Sequence, residues 1–108
     1  MKRGDVVLVV LQGEPGKPRP GVIVQADELD ALSSTIVCPM SSHIDAANLM
    51  RPVVAPTAHN GLLVRTQIMT DKLNTLRHDR VKRIIGTLDP DSCERLDSAL
   101  LLVLGLAR

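Results

Sequence analysis

Arg19 stands between two prolines in Lys17-Pro18-Arg19-Pro20, just ahead of the apolar run Val22-Ile23-Val24. Each proline fixes its own φ near about −65°, and Pro20 also pushes the residue before it into extended geometry. The arginine backbone is therefore stiffened before folding begins. A guanidinium held at such a loop-to-strand junction has two readings. It is an ordinary surface group in a Pro-rich turn, or a fork of donors oriented toward a phosphate. The pattern alone leaves both open.

A second polar cluster, Ser41-Ser42-His43, follows the apolar segment Thr35-Ile36-Val37-Cys38. Serine beside histidine invites a hydrolase reading. The sequence offers no G-x-S-x-G elbow and no assignable acidic partner, and a turn or cap role fits the same residues. His59 goes with its turn, and His78 goes with solvent beside the basic cluster Arg77, Arg80, Lys82 and Arg83. That cluster is either a solvated face or a phosphate-facing patch. The histidines are too dispersed for a metal triad, and Cys38 and Cys93 have no neighbouring Cys or His with which to form a zinc site. No metal or cofactor is expected. Gly13, Gly16 and Gly21 lack the Lys-Ser/Thr ending of a P-loop and do not open a helix.

The elements that must position these residues are short. Val6 to Leu11 is continuous and β-branched, the length of a strand buried on both faces. A loop from Gln12 to Pro18 follows. Val22 to Val24 forms a second strand, and Thr35 to Cys38 a third that Pro39 stops. Val53 to Ala55 is a fourth, flanked by Pro52 and Pro56. Asn60-Gly61 signals a turn into a strand at Leu62 to Val64. Leu73 to His78 and Arg83 to Leu88 are further extended candidates. The C-terminus is helical, with Asp89 as N-cap, Pro90 at the first helical position and Leu88 spaced to staple Cys93. Cys93, Leu96, Leu100 and Val103 repeat at helical intervals, and Gly105 provides the stop. Leu100 to Leu104 is apolar on nearly every side, so this helix end is expected to pack against more than one surface, a second copy included. Short strands followed by one helix indicate a small barrel with helical decoration.

With 108 residues, the chain fits one domain with one core. Its 44% hydrophobic and 23% charged residues argue against disorder. Phe, Tyr and Trp are absent, so the core is aliphatic, and any nucleic-acid base would stack on arginine planes rather than on rings. A net charge of +1 excludes no partner class. Reduced, buried thiols are expected for the two cysteines, with a disulfide left open. The opening residues lack a signal-peptide pattern and Leu100 to Leu104 is far too short to span a bilayer, so a cytoplasmic chain is expected.

The order of motifs carries a further reading. Arg3-Gly4-Asp5 opens an apolar strand, and Lys17-Pro18-Arg19-Pro20 leads into Val22-Ile23-Val24-Gln25. The strand ending in Cys38-Pro39-Met40-Ser41-Ser42 follows, then Asn60-Gly61-Leu62, Gln67-Ile68-Met69-Thr70-Asp71-Lys72, Ile85-Gly86-Thr87-Leu88 and a closing Leu104-Gly105-Leu106. Over essentially its whole length the chain resembles the MazF/PemK/Kid family of toxins from bacterial type II toxin–antitoxin systems. The resemblance implies a mostly β fold with a C-terminal α-helix, an SH3-like barrel of the CcdB/MazF kind, in one domain over 1–108, usually as a homodimer. It implies a metal-independent endoribonuclease that cuts single-stranded RNA by attack of the ribose 2′-OH on the adjacent phosphate. It also implies an acidic antitoxin, encoded upstream, as partner. The family arginine matches Arg19, with roles in acid/base work and charge stabilisation. The stabilising role is the easier for a guanidinium, which resists deprotonation. Ser41 stands where the family usually has threonine and is assigned with Arg19 to catalysis. The resemblance places Lys17, Ser42, His43, Thr66 and Gln67 around the substrate; Thr66 replaces an acidic residue that some members carry. A non-catalytic RNA- or antitoxin-binding module of the same fold is the alternative. Gyrase-poison toxins of this fold fit less well, because the tail Leu106-Ala107-Arg108 has no tryptophan.

Overall fold

The Val-rich opening forms strand β1 (Asp5–Val9), buried on both faces as its composition implies. Val6 joins a core cluster with Val22, Cys38, Ile68 and Leu96, whereas Val7 and Val9 join a second with Ile23, Val37 and Leu76. Alternation along a strand sends neighbouring side chains to opposite faces, so one short segment contributes to both cores. The structure, a computed structural model, describes residues 1–11, 13 and 16–107. Gln12, Glu14 and Pro15 of the expected loop and Arg108 of the tail lie outside the described residues.

The remaining elements are β2 (Arg19–Ile23), β3 (Ser34–Ser41), β4 (Val53–Val54), β5 (Thr66–Ile68), β6 (Asn74–Arg77), β7 (Val81–Thr87) and helix α1 (Pro90–Val103). The strands order as β4-β5-β3-β2-β1-β7, with β6 also paired to β3, and every pairing is antiparallel. The result is the mostly β half-barrel with a C-terminal helix that the motif order implies. Among the described residues no helix is long and apolar enough to cross a membrane.

Two strands depart from the sequence reading. β3 does not stop at Pro39 but continues to Ser41. A residue in a strand aims its N–H and C=O at the same edge, and the Pro39 carbonyl accepts from the Met69 N–H at 2.9 Å. The missing proline N–H therefore falls on that edge. There β6, ending its pairing at Val37↔Asn74, gives way to β5, beginning at Met40↔Ile68. No ladder bond is lost at this handover, so proline is tolerated. The second departure is Leu62 to Val64, which forms no strand; the pairing segment is β5 instead. Here the chain is committed to β7 by backbone contact. The His59 carbonyl accepts from the Thr87 N–H at 2.8 Å. A Cβ on Gly61 (φ +71°) would overlap the Ile85 carbonyl oxygen, and one on Gly86 would overlap the His59 carbonyl oxygen. Asn60, fully buried, accepts from Thr57 N at 3.1 Å and Leu62 N at 3.0 Å and donates to the Ala55 carbonyl at 2.9 Å. The turn predicted at Asn60-Gly61 is thus a side-chain hub that leaves Leu63 94% exposed.

The helix follows its sequence signals. Asp89 accepts from Ser92 N at 3.2 Å and from Ser92 Oγ at 2.6 Å, and these bonds hold its carboxyl below the ordinary aspartate range. Leu88 is buried with Cys93 packed on the same cluster, and Leu96 and Leu100 join that cluster with residues of the sheet. Arg3, from the opening tripeptide, reaches Asp97 at 2.7 Å and the Val24 carbonyl at 3.0 Å, tying helix to sheet. Leu101, Leu102, Leu104 and Leu106 remain exposed. Both cysteines are free thiols, and burial pushes Cys38 up to about 12, which keeps it protonated and unreactive at neutral pH.

The close approach at Gly61 yields a direct test. Gly61→Ala adds a methyl where both the positive φ and the Ile85 backbone oppose it. The variant is expected to lose on the order of 1–3 kcal/mol, read as a lower denaturant midpoint. An unchanged midpoint would show that the turn does not sit against β7.

Candidate active site

A cavity of about 660 Å³ opens between the strand ends and the loop that follows Asn60. Its floor is core: Met40 and Leu62 belong to the first cluster, and Leu8 shares the face of Val6 on β1. Its polar groups come from four places. Arg19 begins β2, Ser41 ends β3 with Ser42 after it, Thr66 begins β5, and Arg83 lies within β7.

The sheet register explains why Arg19 and Ser41 come together. β2 and β3 pair as Ile23↔Val37, Val22↔Cys38 and Gly21↔Pro39. Continued by two residues, that register sets Arg19 opposite Ser41, and residues directly opposite in an antiparallel pair share a face. Gly21 permits the approach, since a Cβ there would meet the Cys38 carbonyl oxygen at 3.3 Å. The ladder itself ends at Gly21↔Pro39, and the two residues singled out for catalysis lie just beyond that end, both on the cavity wall.

The other expected site residues divide. Ser42 and Thr66 line the cavity, but the Thr66 hydroxyl already donates to the Val64 carbonyl at 2.9 Å. The Ser41 oxygen accepts from the His43 N–H at 3.1 Å, the Ser-led turn that the sequence suggested. That bond uses a lone pair and leaves the Ser41 O–H available to donate. Lys17 and His43 are exposed and stand off the cavity wall.

Gln67 does not line the cavity. It is 1% exposed, accepts from Asp45 N at 3.0 Å, and donates to the carbonyls of Asp45 at 3.0 Å and Arg51 at 3.3 Å. Arg51 in turn grips Asp71 with two bonds of 2.8 and 3.0 Å, which raise the guanidinium pKa and hold the Asp71 carboxyl below its usual range. Gln67 and Arg51 together fasten the segment after Ser42, so Gln67 supports the site through the backbone. Its neighbour Thr66 and the register Ser41↔Gln67 place it beside the cavity, where the resemblance had set it.

Sequence reasoning missed Arg83 as a site residue. The basic run contained it, but Arg77 instead pairs with Asp79 at 3.6 Å and Lys82 donates to the Asp79 carbonyl at 2.9 Å. Of that run only Arg83 reaches the cavity. No Asp, Glu or His lines it among the described residues, nor do they contain a His, Cys, Asp or Glu group able to hold a metal ion. What the arrangement offers is positive charge and hydroxyl donors above an aliphatic floor. These groups suit a polyanion whose negative charge grows during reaction.

Residues 2–104 match the family model described as PemK-like, MazF-like toxin of type II toxin-antitoxin system, and the chain belongs to that family. The chain is 36% identical to the "Probable endoribonuclease MazF" of Mycolicibacterium smegmatis, across 99% of both chains. The fold is shared by the Mycobacterium tuberculosis toxin MazF-mt6, with TM-score 0.82 and 21% identity over 96% of this chain and 99% of that one. It is shared also by a mycobacterial endoribonuclease solved in complex with its cognate antitoxin, with TM-score 0.81 and 18% identity over 100% and 98% of the two chains.

The support role of Gln67 can be checked without substrate. Gln67→Leu leaves the Asp45 N–H and two carbonyls without their partner, at a cost of about 1–3 kcal/mol. Hydrogen exchange at Asp45 is expected to speed up markedly. Unchanged protection there would show that the segment is held by other contacts.

Proposed function

We propose that RNA is cut in this cavity. The chain is a MazF-like endoribonuclease toxin of a type II toxin–antitoxin system by family. The observation that carries the site assignment is that Arg19, at the start of β2, and Ser41, at the end of β3, both stand on the cavity wall.

In the proposed reaction the ribose 2′-OH attacks the adjacent phosphorus. The bond from phosphorus to the 5′-oxygen of the next nucleotide breaks, and the proton lost by the 2′-OH is balanced by one gained at that 5′-oxygen. The products are a 2′,3′-cyclic phosphate and a free 5′-OH. The nucleophile is already part of the RNA, so no metal-activated water is required. Negative charge builds on the non-bridging oxygens in the transition state. Arg19 meets it with a planar fork of donors, on a backbone preset by Pro18 and Pro20. Ser41 donates its O–H to the same phosphate, and Ser42 adds a second hydroxyl nearby. Lys17 lies on the approach to β2 and adds charge for the incoming strand.

The partner readings rest on the helix and on the relatives. The exposed leucines Leu101, Leu102, Leu104 and Leu106 offer an apolar face for a second copy of the chain. One relative of the same fold was solved with its antitoxin, and an acidic antitoxin segment laid over the Arg19 cavity would block it. The chain acts in the cytoplasm, where RNA substrates are found.

The test is to incubate the protein, with EDTA, with long single-stranded RNA and map the new ends. Discrete cuts bearing 5′-OH are expected. Arg19 is exposed, so Arg19→Ala keeps the fold but loses about 10²–10³ in rate, the scale for removing one preorganised donor. Ser41→Ala loses less, and Ser41→Thr retains cleavage. Near-normal turnover by the Arg19 variant sinks the mechanism. RNA that is bound and left intact by the folded wild type moves the chain to a binding module.

A further inference from the structure

The cavity holds a second guanidinium that the phosphate chemistry leaves unused. Leu8 of β1 pairs with Pro20 of β2 on one side and with Arg83 of β7 on the other. Adjacent strands lie about 4.8 Å apart, so two spacings, roughly 10 Å, separate the backbone of β2 from that of β7. Arg83 is therefore anchored away from the phosphate assigned to Arg19 and Ser41, toward a neighbouring nucleotide.

Two irregularities in β7 turn it inward. Val6 pairs with Gly86 and Val7 with Ile84, which skips Ile85. Leu8 pairs with Arg83 and Val9 with Val81, which skips Lys82. An extra residue in one strand breaks strict alternation and re-aims side chains. As a result three consecutive residues, Arg83, Ile84 and Ile85, all line the cavity.

The surroundings of Arg83 suit a base better than a phosphate. Phosphate sites gather backbone N–H groups or several cations. Here Leu8 is the partner across the strands and Ile84 and Ile85 are the next residues along β7, with Leu62 and Val64 lining the same cavity. Apolar walls with one well-placed polar group are what a flat ring with a polar edge requires. The chain has no aromatic side chain to stack a base, which leaves the guanidinium plane and these walls for the purpose. The Arg83 side chain has no hydrogen bond or ion pair within the chain among the described residues, so its donors are available to a ligand.

Building on the ribonuclease reading above, we infer that Arg83 is the specificity-determining residue, selecting the base next to the cleaved bond. Its donors fit a base with two adjacent acceptors, as on the N7/O6 edge of guanine.

The experiment digests long single-stranded RNA with wild type, R83A, R83M and R83K. It scores base frequencies around every new 5′ end and follows the rate at the preferred site across a salt series. Arg83 is exposed on its strand, so these variants retain the fold. R83A and R83M are expected to keep cutting while losing about tenfold in base preference at one position flanking the cut, the size of one bidentate contact. R83K is expected not to restore the preference, because an ammonium lacks the planar fork. The salt dependence stays as in wild type. Unchanged site choice with uniformly weaker cleavage, and a salt slope reduced by about 1, would mean a phosphate contact and would overturn the assignment. Variants indistinguishable from wild type overturn it too, as does full rescue by R83K. Intact RNA with the wild type itself is a different result: it removes the ribonuclease reading, and the Arg83 assignment falls with it.

Discussion

Strand β3 has to satisfy three partners at once, and much of the molecule is arranged around that requirement. Its first half pairs with β6, its middle with β2 and its last two residues with β5. Side chains alternate along it, so Val37 enters one core cluster and Cys38 the other. A slip of one residue would turn every side chain to the wrong face. Gly21 pins the register by close approach to Cys38 and Pro39. With that register fixed, the position of Ser41 relative to Arg19 follows without further instruction. The proposed catalytic pair is thus placed by strand elements, and its precision is that of a sheet rather than of a loop.

The cavity wall opposite depends on a different constraint. The loop after β4 is laid against β7 by glycine on both sides of the contact, Gly61 and Gly86, and is held closed by Asn60. A buried amide with its bonds made is rigid; the same amide with a bond missing is expensive. Leu62 is thereby kept in the core while Leu63 and Val64 form an exposed lip. On the third side Gln67 and the Arg51–Asp71 pair secure the segment leaving Ser42. Polar bonds outside the cavity hold the groups that face into it, which leaves the floor aliphatic and the charge concentrated in two arginines.

Legibility from sequence followed the range of the interactions. β1 and the helix were readable because their causes are local: an apolar run, an aspartate cap, a proline at the first position and a glycine stop at φ +74°. Arg19 between its prolines and the Ser41-Ser42 pair stand out locally, but their role is open until the resemblance joins them; the structure brings them to one cavity. Pro39 misled because its missing N–H matters only if a ladder partner stands there, and the partner changes at that residue. Leu62 to Val64 looked like a strand by composition, but contact with β7 took the backbone elsewhere. Gln67, set near the substrate by the resemblance, is a buried brace for the segment after Ser42, which its position in the sequence does not reveal. Arg83 was hidden because a bulge is a property of two strands, and nothing in the run from Arg77 to Arg83 marks which cation will turn inward.

The central claim is that Arg19 and Ser41 act on one phosphate because the start of β2 and the end of β3 bring them to one cavity. A double-mutant cycle on a single-site RNA substrate tests this most directly, with cleavage rates measured for wild type, Arg19→Ala, Ser41→Ala and the double variant. Groups acting as a unit on one transition state are strongly non-additive. The double variant is expected to lose far less than the product of the two single losses. A double variant that loses the full product would mean that the two residues act independently, and would contradict the account.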